Sequence, residues 1–177
     1  MMKSIASRFA LLAICTITVS CSNPSIRVID KEFFRTTKPK RLMIFRFEGN
    51  PNFVEESTDY FIATLQGKYH GEIIRADPVR EETADIHSGS NIAPLDIAIN
   101  KAKTKSADLL ILGKVSSHKT EETMNGFSTV RIIDVASGKQ VANFHRPSGL
   151  LFGYSEHQCV MKAVKRTAQD AVRALTP

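Results

Sequence analysis

Three short aliphatic runs within residues 107–144, parted by turn-forming residues, leave this chain few ways to fold. The first, Leu109-Leu110-Ile111-Leu112, stops at Gly113 and resumes as Lys114-Val115. A polar interval closed by Asn125-Gly126 precedes Val130-Arg131-Ile132-Ile133-Asp134-Val135, and Ala136-Ser137-Gly138-Lys139 leads into Gln140-Val141-Ala142-Asn143-Phe144. Runs of this length, rich in Leu, Ile and Val and bounded by Gly and Asn, predict strands. Asn-Gly and Ser-Gly tolerate positive φ, so both connections are expected to be hairpin turns, and the whole a three-stranded meander. The first run has no polar alternation, which predicts a strand covered on both faces.

The remaining elements are arranged around that meander. Arg41-Leu42-Met43-Ile44-Phe45-Arg46-Phe47 predicts another core strand. Asn50-Pro51 supplies an N-cap and first turn, and Asn52 with Glu55 offers a capping box one step later. The helix they open carries Phe53, Val54, Ser57, Phe61, Ile62 and Leu65 at helical spacing and stops at Gly67. Glu72-Ile73-Ile74-Arg75-Ala76 predicts a short strand, Asp77-Pro78 a short helix ending near Ile86, and Ser88-Gly89-Ser90-Asn91 a loop. Pro94 opens a further helix with Leu95, Ile97, Ala98 and Ala102 available for burial. Past the break at Arg146-Pro147-Ser148-Gly149 comes a glycine-flanked apolar loop, and Ser155 caps a last helix. That helix carries Val160, Met161, Val164, Ala168, Ala171, Val172 and Leu175 as a stripe, with Lys162, Lys165, Arg166 and Arg173 off it. The expected class is α/β: a single layered domain with a mixed sheet of about five strands covered by helices, ending in the meander and a C-terminal helix.

The amino terminus is of another kind. Residues 1–8 are short and basic, and residues 9–17 are apolar apart from Cys15 and Thr16. That stretch falls short of the roughly 20 apolar residues a spanning helix needs, and it has the proportions of a secretory signal peptide. Thr18-Val19-Ser20-Cys21 resembles a bacterial lipobox, with Thr18 where such motifs usually carry a large aliphatic residue. The resemblance implies lipid attachment at Cys21; the alternative is a plain signal peptide cut near Ser20 that leaves a thiol. Several acyl chains suffice for stable anchoring, and by the usual sorting rule Ser22 favours the outer membrane. The domains expected are therefore a signal peptide (1–20), a lipidated terminus and tether (21–40), and a periplasmic α/β domain (41–177). The tether holds Pro24, Pro39, a short strand at Ile26-Arg27-Val28-Ile29 and the aromatic pair Phe33-Phe34, which is expected to pack back onto the domain, the alternative being a membrane or partner contact. Once Cys15 is discarded and Cys21 acylated, Cys159 is alone, which excludes an internal disulfide framework. Its place in a helical pattern suits a small buried residue, the alternative being an intermolecular bridge. The formal charge of +6 falls when Lys3 and Arg8 leave, and nucleic acid is not a partner expected of an exported protein.

Four stretches in this order resemble the periplasmic α/β domain of the CsgG-like lipoproteins. They are the strand at residues 41–47, the helix followed by Glu72-Ile73-Ile74-Arg75, the run Ala107-Asp108-Leu109-Leu110-Ile111-Leu112-Gly113-Lys114-Val115, and Val130-Arg131-Ile132-Ile133-Asp134-Val135-Ala136-Ser137-Gly138. That group includes the curli secretion pore, the LpoB activator of penicillin-binding proteins, and flagellar outer-membrane lipoproteins. The likeness is structural and implies a fold more strongly than a task. A curli-type pore inserts amphipathic hairpins with strands of roughly 9–11 alternating residues. Ser116-Ser117-His118-Lys119-Thr120-Glu121-Glu122-Thr123 has no such apolar face, which argues against a pore.

No Gly-rich phosphate loop, Gly-x-Ser-x-Gly or His-Glu-x-x-His motif occurs, and His70, His87, His118, His145 and His157 lack metal-ligand spacing. No metal, cofactor or catalytic residue is expected. The function expected is a non-enzymatic outer-membrane lipoprotein, lipid-anchored at the periplasmic face. It would act as an accessory or scaffold subunit of an envelope assembly (secretion system, pilus or flagellar collar), through contacts with other envelope proteins or with further copies of itself. Partner-binding candidates are Leu150, Leu151, Phe152 and Tyr154 in the apolar loop, Asn125 at the hairpin tip, and Phe33 and Phe34. The alternatives are an activator of a peptidoglycan synthase and, more remotely, a hydrolase with an unrecognised site.

Overall fold

The computed structural model describes residues 25–77, 95–120, 123–149 and 155–176. Their chain order is β1 (Ile26–Ile29), α1 (Lys31–Thr36), β2 (Arg41–Phe45), β3 (Glu48–Gly49), α2 (Pro51–Gln66), β4 (Glu72–Ala76), α3 (Leu95–Thr104), β5 (Leu109–Lys119), β6 (Met124–Asp134), β7 (Gln140–Pro147) and α4 (Glu156–Leu175). The strands form one mixed, open sheet in the order β1-β7-β6-β5-β2-β4, with β3 beside β5, so the sheet has seven strands where about five were expected. β2 runs parallel to β4 and β5. The meander β5-β6-β7 and its extension to β1 are antiparallel. The predicted α/β class, with a meander and a C-terminal helix, is the one observed.

Local chemistry sets the helix ends. Asn50 Oδ1 accepts from the Asn52 N–H at 3.1 Å with Pro51 in the first turn of α2, as its sequence predicts. Ser155 and Gln158 form a reciprocal capping box on α4. In β5, Leu109 and Ile111 enter the core beneath α2 and α4, while Leu110 enters a second core beneath α3. This is why the run shows no polar alternation: both faces are covered at that point.

Two expectations are overturned. Asn125-Gly126 is not a turn. Both lie within β6, opposite His118 and Ser117, and the hairpin closes earlier, where the Thr120 N–H donates to the Thr123 carbonyl at 2.9 Å. The glycine serves a close approach: a Cβ at Gly126 would lie 2.3 Å from the Cys159 carbonyl carbon, because α4 packs directly on the strand there. Ser137-Gly138, by contrast, is the expected turn, with Gly138 at φ +70° and its N–H donating to the Asp134 carbonyl at 2.8 Å.

The second concerns residues 25–40, expected to form a tether. They belong to the domain. β1 pairs with β7, from Ile26 opposite His145 to Ile29 opposite Ala142. Asp30 caps α1 by accepting the Phe33 N–H at 2.9 Å, and Phe34 is buried in the core. The segment is held by its pairing with β7 and by Phe34, which joins the core that α4 covers. The expected helix near residues 78–86, the loop at 88–91 and Pro94 lie outside the described residues.

Candidate interaction surface

Side chains alternate across a strand, so the residues between those facing α2 and α4 point to the opposite side of the sheet. There α3 covers β2 and the first residues of β5, over Met43, Phe45, Leu110 and Ile133. No described helix covers β1, β7 and most of β6 on that side. Register assembles two rows across this open face. Ile26, His145, Thr129, Lys114 and Glu48 form one; Val28, Asn143, Arg131 and Leu112 form the other. His145 Nδ1 lies 2.9 Å from Thr129 Oγ1, and its ring stacks on Phe127 with centroids 5.9 Å apart. Burial raises the Glu48 carboxyl above its ordinary range, and Lys114 and Arg131 pull it back towards ionisation.

At the β1 edge the other side of the sheet carries a cation cluster. Asp170 of α4 is buried, with 4% of its side chain exposed. Its Oδ2 accepts from Arg146 Nε at 2.6 Å, while Arg27 and Arg173 each stand 4.0 Å from Oδ1. Arg166 adds a guanidinium nearby by donating to the Pro147 carbonyl at 2.7 Å.

The remaining polar contacts tie α4 to α2 and to β5. His157 Nε2 lies 2.6 Å from Glu56 Oε2. Ser117 Oγ bonds to Glu156, whose carboxylate also meets Asn50 Nδ2 at 3.5 Å. No described hydrogen bond links Ser117 to His157. Among the described residues no group of three or more His, Cys, Asp or Glu is placed to hold a metal ion, and no helix is long and apolar enough to cross a membrane.

The candidates named from sequence are not brought together. Phe34 is buried, with Phe33 edge-on to it at 5.2 Å and only half-covered, so of the two Phe33 alone presents area to a partner. Asn125 is also buried, and its Oδ1 has no hydrogen-bond partner among the described residues. Its place at the hairpin tip is taken by Thr120 and Thr123. Cys21, Leu150, Leu151, Phe152 and Tyr154 lie outside the described residues. Sequence reading did not single out Ile26 and Val28, whose exposures of 44% and 56% make them the most open large aliphatic residues described. The signal was present in the alternation of Ile26-Arg27-Val28-Ile29, but not the identity of the neighbour on each side.

No family model and no curated protein sequence matches this chain. Solved structures do. The PelC dodecamer from Paraburkholderia phytofirmans is similar over 87% of this chain and 98% of that chain, at 16% identity and TM-score 0.56. At that identity the likeness is one of fold. Lipoprotein GNA1162 from Neisseria meningitidis matches at 16% identity and TM-score 0.47, covering 78% of this chain and all 100% of that one. The LpoB C-terminal domain from Salmonella enterica matches at 12% identity and TM-score 0.41, covering 67% of this chain and 94% of that one.

Proposed function

We propose that this protein is a non-enzymatic lipoprotein of the bacterial envelope, anchored through Cys21 at the periplasmic face of the outer membrane, and that it works as an accessory or scaffold subunit by binding other proteins, including copies of itself. The observation that carries this reading is the open sheet face, where Lys114, Thr129, Arg131, Asn143 and His145 stand in register with no described helix over them. The fold shared with a protein solved as a dodecamer supports self-association. The open sheet is compatible with it, since unlike edges offer heterologous contacts, which close into a ring only when the rotation between copies closes. The CsgG-like resemblance and the lipobox support the envelope location.

An activator of a peptidoglycan synthase must reach across the wall on a long spacer. Packing of residues 25–36 onto the domain favours the scaffold reading, because only a few residues separate Cys21 from β1. Mild crosslinking in intact envelopes, followed by mass determination of the detergent-solubilised protein, tests the proposal. A discrete oligomer or a recurrent protein partner is expected. A strictly monomeric particle without crosslinks would overturn it.

A further inference from the structure

The geometry points to the β1 edge as a membrane-docking surface whose ligand is the anionic phospholipid headgroup layer of the bilayer carrying the anchor. Its position rests on the proposed acylation of Cys21; its chemistry does not. Ile26 and Val28 expose 44% and 56% of their surface on one side of a four-residue edge strand. On the other side Arg27, Arg146 and Arg173 surround the single carboxylate of Asp170, with Arg166 beside them. The edge therefore pairs an aliphatic row with an excess of positive charge, the combination that amphipathic elements use at a bilayer interface.

Chain length places this edge at the membrane. Cys21 and Ile26 are separated by at most about 18 Å of extended chain, so an acyl anchor holds β1 within reach of the headgroups. Reach alone is insufficient, because charges further apart than about 8 Å are screened at physiological ionic strength. Contact of Ile26 and Val28 with the interface brings the arginines inside that distance. Each row then makes the other effective.

The test uses the unacylated chain from Ser22 onward, which retains every described strand and helix, Ile26 through Leu175. It is sedimented with vesicles of phosphatidylcholine alone or with phosphatidylglycerol added. Binding to the phosphatidylglycerol vesicles that falls with added salt is expected. Ile26→Ser with Val28→Ser, and separately Arg173→Gln, should each weaken partitioning by about fivefold or more. All three residues are exposed, so circular dichroism should match the parent protein. Equal binding to both vesicle types, including none, overturns the proposal, as does unchanged binding of both variants. A change in oligomer mass without a change in partitioning also overturns it, and assigns the edge to contacts between copies. Mass spectrometry of Cys21 from native envelopes tests the anchor separately, so the two ideas can fail independently.

Discussion

Asp170→Asn isolates the charge that holds β1, β7 and α4 together. The substitution preserves shape but removes the anion from a site where its side chain is only 4% exposed and Arg146 Nε donates at 2.6 Å. Removing one partner of a fully buried pair typically costs about 3–5 kcal/mol, since the survivor keeps an uncompensated charge. Arg146 retains 23% exposure, so water relieves part of that penalty. Arg27 and Arg173, at 4.0 Å and well solvated, add at most about 1 kcal/mol between them. The expected loss is about 2–3 kcal/mol, a large share of a domain's stability of about 5–15 kcal/mol. In urea denaturation the midpoint should fall with an unchanged slope, and thermal unfolding should shift down by roughly 5–10 °C. Arg146→Met in the same background should cost less than its cost alone, because the buried anion it would strand is already gone. Amide exchange at Asp30, whose N–H donates to Val141, should quicken as β1 loosens. A loss below about 0.5 kcal/mol would refute the reasoning and make the cluster an ordinary surface arrangement.

Three further outcomes are expected. Gly126→Ala drives a methyl into the α4 backbone at Cys159 and Val160, and should cost about 2–4 kcal/mol in denaturant titration, whereas a merely turn-forming glycine would lose less. Tyr69 donates its hydroxyl to the Pro39 carbonyl at 2.6 Å, and burial, then the Asp108 carboxylate, push its phenol up to about 12 from 10.0. Because the folded value is the higher one, this stabilisation is complete below pH 10 and is lost as pH rises towards about 12; the wild-type advantage over Tyr69→Phe should shrink in that window. Cys159 is fully buried, so its thiol should resist disulfide reagents in the folded protein and react on unfolding.

Much of the fold was legible because its signals are local. Asn50-Pro51, Ser155 with Gln158, and the stripes of α2 and α4 are read within one or two helical turns. The aliphatic run of β5 announced its double coverage without naming the covering helices. Asn125-Gly126 misled because glycine has two uses, positive φ and close approach, and the second depends on Cys159, more than thirty residues away. The candidate surface was less legible still. Phe34 packs back onto the domain as expected, but β1 looked incidental in a segment read as a tether until pairing with β7 drew it into the sheet.

Residue order alone therefore determined the α/β class, the starts of α2 and α4, the Ser137-Gly138 turn and the core identity of β2 and β5, since each follows from chemistry within a few positions. Tertiary structure decided which strands are neighbours, that Gly126 faces a helix backbone, and that Asp170 meets Arg27 and Arg146. It also decided that Ile26 and Val28 lie open on one side of the sheet while Arg27 reaches Asp170 on the other. The division has one physical cause. Backbone preference and periodicity are properties of short segments, whereas burial and charge pairing are set by groups far apart in the chain that only the assembled sheet brings within a few ångströms.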